Sequence, residues 1–181
     1  VSAVPIPDPF ERVYFHGKLM DYKTQVGLEV AESRLGYELT ITQGCYNPGG
    51  VSASAGTHDG GGVVDLAPYD QARKVKVLRD LGWAAWYRPA IAGLWPAHIH
   101  AVMIGHGKLS EAAQGQVSAY KAGLDGLAGG RKDSNPYRPD PAVVFDYRAA
   151  VRDERLRERI TGLRARIKAL RDRISYKGGV V

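Results

Sequence analysis

The sequence predicts an α+β fold: a small antiparallel sheet flanked by helices and followed by a long C-terminal basic helix with a heptad seam. Three observations carry that expectation. Short segments such as Glu38–Gln43 and the run from His98 alternate with the period of two that marks half-buried strands. Longer segments, Asp21–Leu35 and Pro68–Leu81, place apolar residues three and four apart and are each followed by glycine. From Arg148 to Ser175 apolar residues recur at alternating steps of four and three, flanked by arginine.

Val1–Phe10 contains Pro5, Pro7 and Pro9 and is expected to be an extended arm, followed by a short apolar segment around Val13–Phe15. Asp21 suits the N-cap of a helix with Val26, Val30, Ala31 and Leu35 inward and Gly36 as its left-handed C-terminal cap. Glu38–Gln43 reads as a strand, and Asn47–Gly56 as a small-residue loop too poor in apolar mass to bury itself. In that loop and just after it, Ser54 and Thr57 can donate hydrogen bonds to a bound peptide or to a metal-binding carboxylate, or simply serve the turn.

Val63–Leu66 is the next expected strand, followed by the Pro68–Leu81 helix with Ala72, Val75, Leu78 and Leu81 inward. Trp83–Tyr87 follows as a strand, and Arg88–Pro96 as the loop feeding the histidine strand. Trp83, Trp86 and Trp95 read as core and pocket wall, because no basic residues interleave with them as nucleic-acid stacking requires. A weak helix, rich in alanine and glycine, is expected from Ser110 to Leu127. The Gly129–Pro141 loop offers Asp133, Asn135 and Tyr137 as candidate cleft-lining groups.

Two stretches carry candidate chemistry: Ser54–Asp65, containing His58 and Asp65, and Trp95–His100, containing His98 and His100. Alternation puts both imidazoles of His98-Ile99-His100 on one strand face, where they can meet one ion or one substrate. His58 and Asp65 are seven residues apart, so a regular strand would point them to opposite faces; Gly60-Gly61-Gly62 is the expected bend. An aspartate pointing inward between Val64 and Leu66 needs a cation or a hydrogen-bond network. Two imidazoles and one carboxylate would leave a fourth zinc position open, the catalytic pattern. The sheet is therefore expected to carry a zinc site.

His58, six residues and Asp65, followed by a strand bearing His98-x-His100, resembles the zinc peptidase superfamily of D-alanyl-D-alanine metallopeptidases, murein endopeptidases and the Hedgehog domain. The likeness runs from about Leu39 to Ile104, and Gly56-Thr-His-Asp-Gly-Gly-Gly62 is similar to phage and actinobacterial members. What it implies is Zn2+ held by His58, Asp65 and His100, with His98 as the catalytic group. Many members place a glutamate shortly before the last ligand as general base, whereas Gly93–Pro96 offers no carboxylate. Murein endopeptidases of the superfamily use histidine there, which makes His98 the candidate base. The family's first strand leads into its active site, often with a substrate-binding arginine. Gln43 and Tyr46 occupy that region here, and either touch substrate or form the turn.

With Ser54 and Trp95, these residues make the candidate substrate-binding set. The resemblance implies a zinc-dependent peptidase cutting peptide bonds in bacterial peptidoglycan, of the phage lysin or virion-associated kind, acting at the cell wall. The alternative is an inactive zinc-holding module for binding or assembly.

The chain has 181 residues and a single cysteine, Cys45, which excludes an internal disulfide and any multi-cysteine metal site. Val1 in place of methionine reads as a processed product or a piece of a longer protein, and no apolar run reaches membrane-spanning length. The expected division is a peptidase-like domain at 1–147, a basic helix at 148–177 and a tail at 178–181. The net charge of +6 belongs to the helix, where 11 Lys+Arg face 4 Asp+Glu. Ile160, Ile167 and Ile174 occupy a and Leu156, Leu163 and Leu170 occupy d, a core that favours a parallel dimer. Arg157, Arg164 and Arg171 at e and Arg159, Arg166 and Arg173 at g set arginine against arginine in either homodimer. The expected partner is an acidic-flanked helix or an anionic surface; the helix lying on its own domain is the bland alternative, and no nucleic-acid module is recognisable.

Overall fold

The structure, a computed structural model, describes residues 5–140 and 142–177, with side chains described to residue 170. The 178–181 tail and the side chain of Ile174 lie outside the described residues. The fold is α+β, and the chain divides into two compact units, Val1–Tyr147 and Arg148–Val181.

The first unit opens with a hairpin of β1 (Arg12–Phe15) and β2 (Lys18–Asp21), joined at His16-Gly17, both with positive φ. Such a turn matches the right-handed strand twist; sequence reading found only its first apolar segment. Helix α1 (Tyr22–Leu35) follows, with Thr24 N–H donating to Asp21 at its start and left-handed Gly36 at its end. Leu28 is fully buried where Val30 had been expected inward, and Val30 is half-buried.

Four antiparallel strands make the main sheet: β3 (Ile41–Gln43), β4 (Val63–Leu66), β5 (Trp83–Arg88) and β6 (His98–Met103), in the order β3-β4-β6-β5. The first begins three residues later than expected, at Ile41, and its ladder with β4 is irregular between Ile41 and Gln43. Val64, Leu66, Ile99, Ala101 and Trp83 form a fully buried layer on one face. Burial of each larger side chain there contributes about 1.5–3 kcal/mol. Trp83 and Met103 pack so closely on α1 that a Cβ at Gly27 would lie 2.6 Å from Met103 and 2.9 Å from Trp83.

Helix α2 (Gln71–Asp80) packs beside β5. Ala72 is exposed, contrary to expectation, and the inward face instead includes Lys74 and Arg79 with Val75 and Leu78. Both cations bury their stems and deliver their heads to carbonyls, Lys74 to Ala67 and Arg79 to Ala85.

On the opposite sheet face, Val63, Val102 and Ala84 are covered by Ala113, Val117 and Tyr120 of α3 (Glu111–Lys121). This helix ends six residues earlier than expected, since Gly123 is left-handed and the chain turns into a bridge between Leu124 and Lys132. It covers only part of the face, and the uncovered part holds the histidines.

The second unit belongs to α4 (Tyr147–Lys177), in which Leu156, Ile160, Leu163, Ile167 and Leu170 are exposed. No helix among the described residues is long and apolar enough to cross a membrane.

Candidate metal centre

Antiparallel register assembles the site. Gln43 is paired with Asp65, Asp65 with His100, and His100 with Trp86, so four residues form one row across the sheet. The adjacent pair on the same face is His98 with Arg88. His58 comes from a 3-10 turn, Thr57–Asp59, and reaches the row because the following glycines bend the chain back. Gly62 has φ of +76°, and a Cβ at Gly61 would stand 2.1 Å from an Asp21 carboxylate oxygen. Only glycine fits both positions.

His58, Asp65 and His100 form a His-Asp-His cluster that could hold a metal ion, with ligand atoms all within 4.8 Å of one another. His100 Nδ1 lies 2.7 Å, and His58 Nε2 3.5 Å, from Asp65 Oδ1. His98 Nε2 is farther, at 3.9 Å. His58 is 1% exposed, whereas the Asp65 side chain keeps 13% exposure toward the cleft.

The ring protons decide what these contacts are. His58 Nδ1–H donates to the Gly44 carbonyl at 2.8 Å, and His98 Nδ1–H to the Pro96 carbonyl at 2.8 Å. Gln116 of α3 donates its amide N–H to the Gly126 carbonyl, which turns its Oε1 toward His100 Nε2, 2.8 Å away. An amide oxygen accepts only, so His100 stands between two acceptors, Gln116 Oε1 and Asp65 Oδ1, and an N–H given to Gln116 frees Nδ1 for a metal. His58 and His98 thus spend Nδ1–H on a carbonyl and turn a bare Nε2 toward the Asp65 carboxylate. Burial lowers the pKa of His100, the hydrogen bond and charge of Asp65 opposing only in part, which favours the neutral ring. Burial works to raise Asp65, but His100 and His58 outweigh it and hold the carboxyl far below its ordinary range. A carboxylate and neutral imidazoles are the forms that bind metals.

The His58 Nε2 lone pair facing the Asp65 carboxylate at 3.5 Å repels it unless a cation lies between them. A tetrahedral zinc ion with bonds of about 2.0 Å spaces its ligand atoms about 3.3 Å apart. The His58–Asp65 spacing of 3.5 Å is close to that figure, and the 2.7 Å His100–Asp65 contact would have to open to match it. Gln116, Gly44 and Pro96 are the groups that orient the rings.

Above the row lies a cleft of about 570 Å³, large enough for a few peptide residues. Gln43, Ser54, Thr57 and Trp95 line it with the histidines. Ser54 Oγ–H donates to Gln43 Oε1 at 3.1 Å, while the Gln43 amide N–H group has no partner among the described residues. Trp95 donates its indole N–H to the Pro89 carbonyl and stands edge-on to His98.

Tyr46 is not brought to the cleft. Its hydroxyl donates to Asp21 Oδ2 at 2.9 Å, and burial with that bond pushes its pKa up. Asp133, Asn135 and Tyr137 also lie elsewhere: Asp133 pairs with Arg79 at 2.6 Å and Arg138 at 2.8 Å, bracing their loop. Cys45 is buried, donates to the Val63 carbonyl, and has its pKa pushed up to about 12 by burial, so it is no nucleophile. Arg88 and Gln116 were not picked out from sequence. Alternation along Trp83–Arg88 does put Arg88 on the face of Trp86, which is a usable signal; Gln116 sits mid-helix with none.

Comparison with protein-family models, curated proteins and solved structures yields no match.

Proposed function

We propose that the protein is a zinc-dependent peptidase acting on the peptide moiety of bacterial peptidoglycan. The observation that carries the metal is the convergence of His58 Nε2 and His100 Nδ1 on Asp65 Oδ1, with the other ring nitrogen of each held by a carbonyl oxygen behind it. The motif likeness to the zinc D-alanyl-D-alanine and murein peptidases supports the substrate class and the phage lysin or virion-associated setting at the cell wall. Bound by His58, Asp65 and His100, zinc supplies Lewis-acid activation of water and of a scissile carbonyl.

His98 carries the proton chemistry. Its Nδ1–H is fixed on the Pro96 carbonyl, so Nε2 accepts the proton that the attacking water gives up and returns it to the leaving amine. Gln43 lines the cleft, and its buried amide N–H, without a partner among the described residues, can reach a substrate carbonyl by a side-chain rotation. Trp95 lines the cleft and stands edge-on to the His98 ring.

A zinc-holding binding or assembly module is the second reading, favoured by one observation: Asp65 is the sole carboxylate among the described residues lining the cleft. Incubation with purified peptidoglycan separates the two. The enzyme releases new amino groups, a His58→Ala variant releases none, and silence from zinc-loaded wild-type protein sinks the peptidase reading. For α4, the proposed partner is an acidic-flanked helix or an anionic surface, from the arginines on both sides of its exposed seam.

A further inference from the structure

Arg88 holds a charge that the metal centre leaves unused. It is 5% exposed, ends β5 as the cross-strand partner of His98, and lies over the Trp86 ring at 5.7 Å. No described residue accepts a hydrogen bond from its guanidinium. Arg79, the other buried arginine, shows how this protein otherwise treats such a group: it donates to the carbonyls of Ala85 and Asn135 and to the Asp133 carboxylate. A buried guanidinium without acceptors is unfavourable, and one that faces a cleft can gain them from a ligand.

Charge in the cleft points the same way. Asp65 and Arg88 are the two charged side chains among the described residues lining it. With Asp65 engaged by a cation, Arg88 has no counter-charge on the cleft wall. Asp125, the other carboxylate that acts on it, accepts the Leu127 N–H instead.

We propose that Arg88 anchors a free α-carboxylate on the leaving side of the scissile bond, so that the cleft takes the last peptide bond of a chain end rather than an internal one. The planar fork of arginine matches a carboxylate with two parallel bonds. Pairing with His98 places that anchor beside the group that must reach the leaving amine. The proposal rests on the zinc peptidase reading for the bond cut, but the anchor itself is a binding site and can be tested without turnover.

The test uses a synthetic wall pentapeptide with a free C-terminus and the same peptide C-terminally amidated, with binding read by tryptophan fluorescence on zinc-loaded and metal-free protein. Wild type is expected to bind the acid about 100-fold more tightly than the amide. Arg88→Gln should reduce the acid to the amide's level, and Arg88→Lys should restore part of the difference. Where hydrolysis is measurable, the loss falls on KM rather than kcat. Equal binding of acid and amide by wild type overturns the proposal, as does an Arg88→Gln variant that weakens both peptides alike. A native protein that takes up no zinc sinks the metal centre instead, and the acid-to-amide ratio on metal-free protein still decides Arg88.

Discussion

Two clusters in this molecule are made from the same materials and end differently. In the first, Asp21 and His106 are both fully buried, and His106 Nε2–H donates to Asp21 Oδ1 at 3.0 Å while its Nδ1 accepts from the Lys108 N–H. Thr24 gives the same carboxylate its N–H and hydroxyl, and Tyr46 supplies a fourth donor. Every donor there meets an acceptor. In the second, around Asp65, the His58 and His98 protons point away to Gly44 and Pro96, and their bare Nε2 atoms face the carboxylate. The histidine–aspartate pairing is shared; the direction of the protons is not. A saturated pair is masonry, and an unsaturated one is a site.

The sharpest way to break that contrast is to remove the cation or the carboxylate it needs. Chelation, or Asp65→Asn, should lower peptidoglycan hydrolysis by about 10³-fold or more, with circular dichroism of the first unit unchanged. His98→Ala should reduce turnover by about 10²–10⁴-fold while zinc stoichiometry stays at wild-type level, because its ring stands outside the triad. Loss of zinc in that variant would make His98 a ligand. Asp21→Asn should do the reverse, costing about 3 kcal/mol in denaturant unfolding without reducing zinc affinity of the folded protein.

Gln116→Ala should weaken zinc about 10- to 100-fold by freeing the His100 ring, read by competition with a chromophoric chelator. The smallest effect concerns acid. Burial raises the Asp21 pKa, but the bonds from His106 and Thr24 outweigh it and hold the group below its ordinary 3.8. Its contribution to stability is thus complete above that pH and lost as pH falls through the lower folded value. Acid titration of unfolding free energy should be shallower below pH 3.8 in Asp21→Asn than in wild type.

The sheet and its polar row were legible because strand alternation is a local property. His98 and His100 had to share a face, and a glycine triplet had to turn the chain between His58 and Asp65. Helix α1 was equally plain, with Asp21 and Gly36 marking its ends. What local pattern could not supply was partnership across the fold. Asp21 was read as a cap, yet it also receives His106 from 85 residues away. Lys74 and Arg79 are buried because carbonyls outside their own helix accept their heads, which no local pattern marks. Tyr46 sat near the expected substrate strand, but its left-handed backbone, φ 55°, turns the ring toward Asp21. Gln116 acquires its role only when α3 crosses the row.

The dry underside of the sheet has a kinetic consequence. Val64, Leu66, Ile99 and Ala101 are wholly shielded from water and zip β4 to β6 by themselves, on the side away from the histidines. An arriving ion therefore meets a finished socket. In small zinc-nucleated domains, by contrast, capture and folding are one event. Stripping and reloading should behave here as simple exchange in an intact molecule, paced by entry into the cleft and not by refolding.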